Sequence, residues 1–253
     1  MKICLISDTH QEFNHYDHYI DLLKKEINGD DSIVILAAGD IDEGIIGMSA
    51  LADNFPFNKI IYIPGNHEYY CNSIDKIEKE AIEQFYRSEK YPNFIFAESN
   101  YIILDNGKTY SITTNINWPD ITKSQYKNQI TRGINDFRLI ESSFDNLEEY
   151  FAIEKSIFHS NLRARDYSAD VNILMTHFIP HVAGIHPIWQ NSSLNDYFCS
   201  PIPEDLLNKF DYCFFGHTHN SIDTMVNNTR IISNPRGYPT EYNVNWKPLI
   251  LEI

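Results

Sequence analysis

Five short clusters of aspartate, histidine and asparagine are what first suggest chemistry in this chain. In order they read Asp8-Thr9-His10, Gly39-Asp40, Gly65-Asn66-His67-Glu68, Thr176-His177 and Gly216-His217-Thr218-His219. Imidazole combined with carboxylate and carboxamide oxygen suits borderline first-row cations such as zinc, iron and manganese. No thiol belongs to the set, which argues against a structural zinc knot. Asp8, His10, Asp40, Asn66, His177, His217 and His219 exceed what one tetrahedral ion takes and match two, with Asp40 the natural bridging carboxylate. Each cluster alone has a plainer reading: a surface turn for Asp-x-His or Gly-Asp, a β-turn for Gly-Asn-His-Glu, a satisfied core histidine for His177. Two imidazoles at i and i+2 just past an apolar run are harder to place without a partner, and all five clusters in one chain leave the plain readings little room.

The elements that must hold these residues follow from hydrophobic pattern. Residues 2–7, 32–37 and 59–64 are near-continuous apolar runs, the pattern of strands covered on both faces. Helical patterns over 15–27, 44–53 and 72–89 interleave with them, giving a β-α-β rhythm and an α/β architecture with crossover helices. The second half predicts a long helix over 143–165 and strands at 171–176, 211–215, 221–226, 229–233 and 247–252, with Asn227-Asn228 as a tight hairpin turn. Every cluster then falls at a strand terminus, and open α/β sheets build their sites outside the carboxyl ends of strands. Gly39, Gly65 and Gly216 each precede a candidate ligand, where positive φ or close backbone approach is expected. Residues 115–141 show no strong periodicity and are expected to form a long excursion over one side of the cleft. The whole of 1–253 is expected to be one domain.

The motif order resembles that of the calcineurin-like metallophosphoesterases: D-x-H, G-D, G-N-H-[ED], a lone His, G-H-x-H. The resemblance covers residues 5–219 with no member missing. Gly133-Ile134-Asn135-Asp136-Phe137-Arg138 and Asn234-Pro235-Arg236-Gly237-Tyr238 resemble a bacterial subgroup and extend the match to nearly the whole chain. The resemblance implies a four-layer α/β fold, a central mixed β-sandwich flanked by helices with the site at the strand C-terminal ends. It implies two divalent metal ions (Mn, Zn, Fe or a mixture). Asp8, His10, Asp40 and His219 would hold the first, and Asp40, Asn66, His177 and His217 the second. His67 would be the catalytic histidine outside the ligand set, a general acid for phosphate monoester or diester hydrolysis by a hydroxide held between the metals. The protein Ser/Thr phosphatases of the family carry G-D-x-x-D-R-G, whereas this chain reads Gly39-Asp40-Ile41-Asp42-Glu43-Gly44, which argues against that group. Asp42 and Glu43 are expected to be solvated.

Arg132, Asp136, His181 and Arg236 are candidate substrate contacts, and Arg138 joins them as a neighbour of the site. For the three arginines and Asp136 an ordinary salt bridge is the plainer expectation, and His181 divides evenly between cleft and surface. His15, His18, His159 and His186 carry no motif and are expected to be structural. The formal net charge of −15 opposes generic binding to nucleic acid or anionic membrane. It does not oppose a small phosphate ester, because bound cations reverse the field within one pocket. Cys4, Cys71, Cys199 and Cys213 form no CxxC pair and are expected to be buried reduced thiols of a reducing compartment. With no signal-like N-terminus and no run near 20 apolar residues, the expectation is a cytoplasmic protein. A non-catalytic metal-binding interaction module of the same fold is the rival reading, and it is disfavoured because no ligand or catalytic histidine is lost.

Overall fold

The computed structural model of the chain describes residues 1–13, 19–96, 100–142, 146–241 and 245–253. Two sheets stack face to face. The first has the order β13-β1-β2-β3-β5, formed by Leu249–Glu252, Lys2–Ile6, Val34–Ala38, Ile60–Ile63 and Phe94–Phe96. Only β13 runs antiparallel in it. The second has the order β11-β12-β10-β9-β7-β6, formed by Ile222–Val226, Thr229–Ser233, Tyr212–Phe215, Val171–Thr176, Lys108–Asn115 and Tyr101–Asp105. Its four inner strands are parallel and its two edges antiparallel.

The apolar runs of the sequence resolve into alternation between two greasy faces, as the period of two requires. Ile3, Leu5, Val34, Leu36, Ile61 and Ile63 point inward and meet Ile112, Ile173, Met175, Phe214 and Ile232 of the second sheet. Their neighbours Cys4, Ile6, Ile35, Ala37, Ile60 and Tyr62 point outward, under α1 (Tyr19–Ile27), α2 (Ile46–Asn54) and α3 (Ile74–Phe85). On the far side, Phe158 and Leu162 of α6 (Leu147–Ala164) and Leu206 and Leu207 of α8 (Glu204–Leu207) cover Leu174, Cys213, Phe215 and Ile231. The result is the four-layer mixed sandwich expected from the sequence.

Differences from the expected elements have local causes. The helix over 72–89 begins at Ile74, because the Ser73 side chain accepts the Lys76 amide at 3.3 Å as an N-cap, and a two-residue strand β4 (Asn72–Ser73) precedes it. Strand β5 and the β6–β7 hairpin lie outside the expected strands, although Asn106-Gly107, both at positive φ, is a strong short hairpin signal. The excursion at 115–141 is not mere loop. It folds into α4 (Lys127–Gly133), α5 (Asp136–Leu139) and β8 (Ile140–Glu141), which pairs with β4. Within it Trp118 is core, stacked on Phe151 at 4.0 Å. A short helix α7 (Asn195–Phe198) closes the segment after β9. The expected helical start at 15–18 and at 143–145, with His15 and His18, lies outside the described residues. Cys4, Cys199 and Cys213 are buried free thiols, whereas Cys71 is exposed at a φ of 57°.

Candidate metal centre

The carboxyl ends of β1, β2, β3, β9 and β10 all open onto one edge of the sandwich, so the five clusters meet. The turns that carry them are tight. Asp8, His10, Asp40 and His217 sit at φ of 51°, 45°, 55° and 64°, a left-handed conformation that non-glycine residues hold only where surroundings enforce it. The enforcement is visible. The Asp8 amide donates to the Gly39 carbonyl at 2.9 Å, and the His10 amide to the Asp40 carbonyl at 3.1 Å. Gly39 takes φ 87°, and a Cβ on Gly65 would fall 2.1 Å from Oδ1 of Asp40, so neither position accepts a side chain. Glu68 clamps two of the turns together from below. Its fully buried carboxylate accepts the amides of Asp40 and Ile41 at 3.0 Å each and of Gly65 at 2.7 Å, and the Tyr62 hydroxyl at 2.6 Å.

Two groups of donor atoms result. In the first, Nε2 of His10 and Nε2 of His219 face each other at 3.1 Å, with Oδ1 of Asp8 3.9 Å from His219. In the second, Nε2 of His177 lies 3.0 Å from Oδ1 of Asn66 and 3.4 Å from Oδ2 of Asp40, with His217 alongside. Oδ2 of Asp40 is also 3.9 Å from His10, so this oxygen stands between the groups. The opposite side of nearly every donor is already committed. His10 Nδ1 meets Glu12 at 2.9 Å, His177 Nδ1 meets the Ala38 carbonyl at 2.8 Å, and His219 Nδ1 meets Glu241 at 2.7 Å. Asp8 and Asp40 each spend Oδ1 on a backbone amide, from His217 at 2.8 Å and His67 at 2.9 Å. The Asn66 amide nitrogen donates to Asp136 at 3.1 Å, which turns its oxygen toward the cluster. With Nδ1 of His10, His177 and His219 holding the proton, their Nε2 lone pairs face other acceptor atoms in both groups. Oδ2 of Asp8 and Nε2 of His217 are buried with no hydrogen-bond partner at all. Buried polar atoms left this way are costly unless a cation or another partner reaches them.

Protonation reflects the same need. Burial opposes charge on His177, but Asp40 outweighs it and pushes the imidazole up to about 9. Burial likewise opposes charge on Asp40, and His177 with His67 overcomes it to hold the carboxyl well below the ordinary range. Asp8 is raised by burial, and His217, buried between Phe178 and Phe198, is driven well below the usual imidazole value. The donor set therefore fits divalent cations, which would replace those protons.

His67 stands beside the two donor groups and shares a third cluster of donor atoms with His10 and Glu12. Its Nδ1 lies 2.8 Å from Oε1 of Glu12, the same oxygen that meets His10, and its Nε2 lies 3.2 Å from the Tyr238 hydroxyl. Burial would lower its pKa, but Asp40 and the Glu12 hydrogen bond push it up to about 9. Glu12 and Glu241 carry no motif, whereas Tyr238 closes the Asn234–Tyr238 motif without having been a candidate for the site. Glu12 stands two residues beyond a ligand, a spacing that could have flagged it, whereas Glu241 gives no local signal.

The remaining candidates divide. Asp136 lines the cleft but makes no salt bridge; it accepts the Tyr70 hydroxyl at 2.7 Å, the Tyr197 hydroxyl and the Asn66 amide, and so orients a ligand-like oxygen. Arg132 is exposed and outside the cleft wall. Arg236 is buried below the wall, its amide bonded to the Ser7 carbonyl and its guanidinium 5.8 Å from the Trp246 ring. Arg138 donates to the Asn135 side chain. His181 turns away, accepting the Ala183 amide at 3.1 Å, while His186, expected to be structural, stands on the cleft wall. His159 lies on α6, remote from the cleft. Asp42 is half-buried and not freely solvated, which pushes its carboxyl up to about 6.

A family model described as calcineurin-like phosphoesterase matches residues 1–221. The chain belongs to this family. Among relatives of the calcineurin-like phosphoesterase, an uncharacterized protein, L509, of Acanthamoeba polyphaga mimivirus is 28% identical over 211 residues, covering 76% of this chain and 72% of that protein. The phosphopantetheinyl hydrolase of Mycobacterium tuberculosis superposes with a TM-score of 0.70 at 15% identity, covering 98% of this chain and 95% of the other. GAP50 of Plasmodium, described as the anchor in the inner membrane complex, gives 0.54 at 14% identity, with 92% and 70% covered. At such identities the likeness is one of fold.

Proposed function

We propose that this calcineurin-like phosphoesterase is a dinuclear metal-dependent hydrolase of a phosphate monoester or diester. The carrying observation is the pair of buried, partnerless donor atoms, Oδ2 of Asp8 and Nε2 of His217, within a cluster whose other lone pairs converge. Asp8, His10, Asp40 and His219 would hold one ion and Asp40, Asn66, His177 and His217 the other, with Oδ2 of Asp40 shared. Manganese, zinc, iron or a mixture suits the donors. Such a pair supplies Lewis acidity toward the phosphoryl oxygens and a water acidic enough to attack near neutral pH.

The chain's own residues do the rest. Glu12, Glu241 and the Ala38 carbonyl fix the imidazole rings so that each Nε2 points inward. His67, anchored through Nδ1 by Glu12, offers Nε2 toward the cleft, where it would protonate the leaving oxygen. Tyr238 meets that nitrogen and would keep it aimed until substrate arrives. The Gly133–Arg138 and Asn234–Tyr238 motifs, which we assign to the bacterial subgroup, are the ones that carry Asp136 and Tyr238 to the site. We read residues 1–253 as one catalytic domain acting in the cytoplasm on a small-molecule ester. No helix among the described residues is long and apolar enough to cross a membrane.

The rival reading is a non-catalytic module of the same fold, and GAP50 is a relative in fold whose description is that of an anchor. Retention of every ligand and of His67 favours the enzyme. Hydrolysis of p-nitrophenyl phosphate by protein loaded with manganese, zinc or iron tests it: turnover that needs metal supports the enzyme. Absence of turnover with both ions bound leaves the module.

A further inference from the structure

Beyond the ligand corner the cleft widens into a chamber, and the whole space measures about 440 Å³. That is within the range of roughly 300–1,000 Å³ that accommodates a drug-sized organic molecule, and far more than a phosphoryl group fills. The chamber wall is made by the segment after β9 and by the turn between α4 and α5. Ile134, Ile185, Leu194 and Phe198 give it apolar surface, and Trp189, 57% exposed, stands at its mouth. Polar atoms are supplied by neutral groups such as Asn135 and Ser192. Among the described residues, the ionisable side chains on the wall besides the candidate ligands, His67 and the tyrosines are the carboxyls of Asp136 and Glu241 and the imidazole of His186.

No lysine or arginine lines this space, and every one of the chain's 20 lies among the described residues. Arg138 hydrogen-bonds to the Asn135 side chain from an exposed position outside the lining. A second phosphate or a carboxylate on the substrate would therefore enter a largely apolar chamber with no lysine or arginine to receive it, at a desolvation cost and against Asp136 and Glu241. An uncharged apolar group would gain by leaving water.

Resting on the phosphoesterase reading, we infer that the substrate carries a single phosphoryl group on an uncharged, largely apolar organic moiety, which the chamber between Ile134 and Trp189 receives. In the reaction a water oxygen forms the new bond to phosphorus, the ester P–O bond breaks, and a proton of that water ends on the leaving alcohol. Nucleoside di- and triphosphates and sugar bisphosphates are excluded as preferred substrates.

The test compares metal-loaded protein on methyl phosphate, hexyl phosphate and hexane-1,6-diyl bisphosphate. It adds calorimetric binding of methyl- and hexylphosphonate, which cannot be hydrolysed. A buried methylene is worth roughly two- to fourfold, so hexyl phosphate should exceed methyl phosphate in kcat/KM on the order of a hundredfold. Hexylphosphonate should bind more tightly than methylphosphonate in the same sense. The bisphosphate, alike but for its far end, should fall back toward methyl phosphate. Trp189→Arg, which puts a cation at the mouth on an exposed side chain, should raise the bisphosphate-to-hexyl ratio. Equal methyl and hexyl values, or a bisphosphate as good as hexyl phosphate in the wild type, overturn the inference while leaving the phosphoesterase reading intact. If no ester is hydrolysed yet hexylphosphonate still binds more tightly, the phosphoesterase reading falls and the chamber assignment survives as a binding site.

Discussion

The ligand corner and the chamber wall face each other across one cleft and are built on opposite principles. In the corner, donors sit on turns at strand ends, four of them at left-handed φ, and the rings of His10, His177 and His219 are each held from behind by a second hydrogen bond. The wall is made of short helices and turns, with Trp189 exposed to solvent. The corner is strained and over-determined, which suits chemistry that must not drift. The wall has few constraints, which suits a surface that selects a substrate. Changes in the corner should therefore act on metal and rate, and changes on the wall on which ester is preferred.

The largest effect should come from the oxygen common to both donor groups. Asp40→Asn should weaken metal binding at both positions by more than the roughly 10–100-fold that an outer-shell change costs. His10→Ala should mainly affect one. Metal titrations of the two variants followed by calorimetry distinguish the patterns, and one-site loss in Asp40→Asn would break the idea of a shared ligand.

Next comes His67, which belongs to the corner yet touches no ion in this account. General acid catalysis is typically worth about 10²–10⁴ in rate. His67→Ala should retain both metals, lose modest activity on nitrophenyl esters, whose leaving group departs as an anion, and lose far more on alkyl esters. Equal losses on both classes, measured by steady-state kinetics, would mean that His67 positions substrate and does not supply a proton.

Glu12 sharpens the contrast further, because one of its oxygens serves a ligand-like histidine and His67, the proposed general acid, together. Glu12→Gln should cost about 10–100-fold in activity or metal affinity and lower kcat on alkyl esters more than on nitrophenyl esters. If metal affinity drops and the leaving-group dependence stays as in the wild type, the link to His67 is wrong.

The corner was legible in the sequence and the wall was not, and the reason is physical. Asp8, Asp40, Asn66 and His217 follow directly on strands, so chain order alone delivers them to one edge once the strands are known. Their motifs are short because the turns admit few residues; Gly65 is fixed by the 2.1 Å that a Cβ would leave to Asp40. Asp136 reached the candidate set through a motif, but its work on Asn66 depends on α5 packing back over the cleft, which no local pattern specifies. His186 and His181 look alike in sequence, and only the path of the segment after β9 puts one on the wall and the other outside it. Glu241 meets His219 from 22 residues away. The sandwich itself is readable from apolar runs, save the three-residue edge strand β5 and the β6–β7 hairpin, both too weakly patterned in apolar residues to stand out.

Among the smallest effects should be that of Arg132, exposed beyond the wall. Arg132→Ala is expected to leave kcat, KM and metal content within about twofold, in line with substitutions on the surface away from special contacts. A large rise in KM would extend the selecting surface outward past Gly133.

Elemental analysis of the metal-replete wild type, with protein concentration determined independently, tests the centre most directly. Two tightly held divalent ions per chain are predicted, both lost when Asp40 becomes asparagine. A single tightly held ion, with Oδ2 of Asp8 and Nε2 of His217 still lacking a partner, would contradict the account.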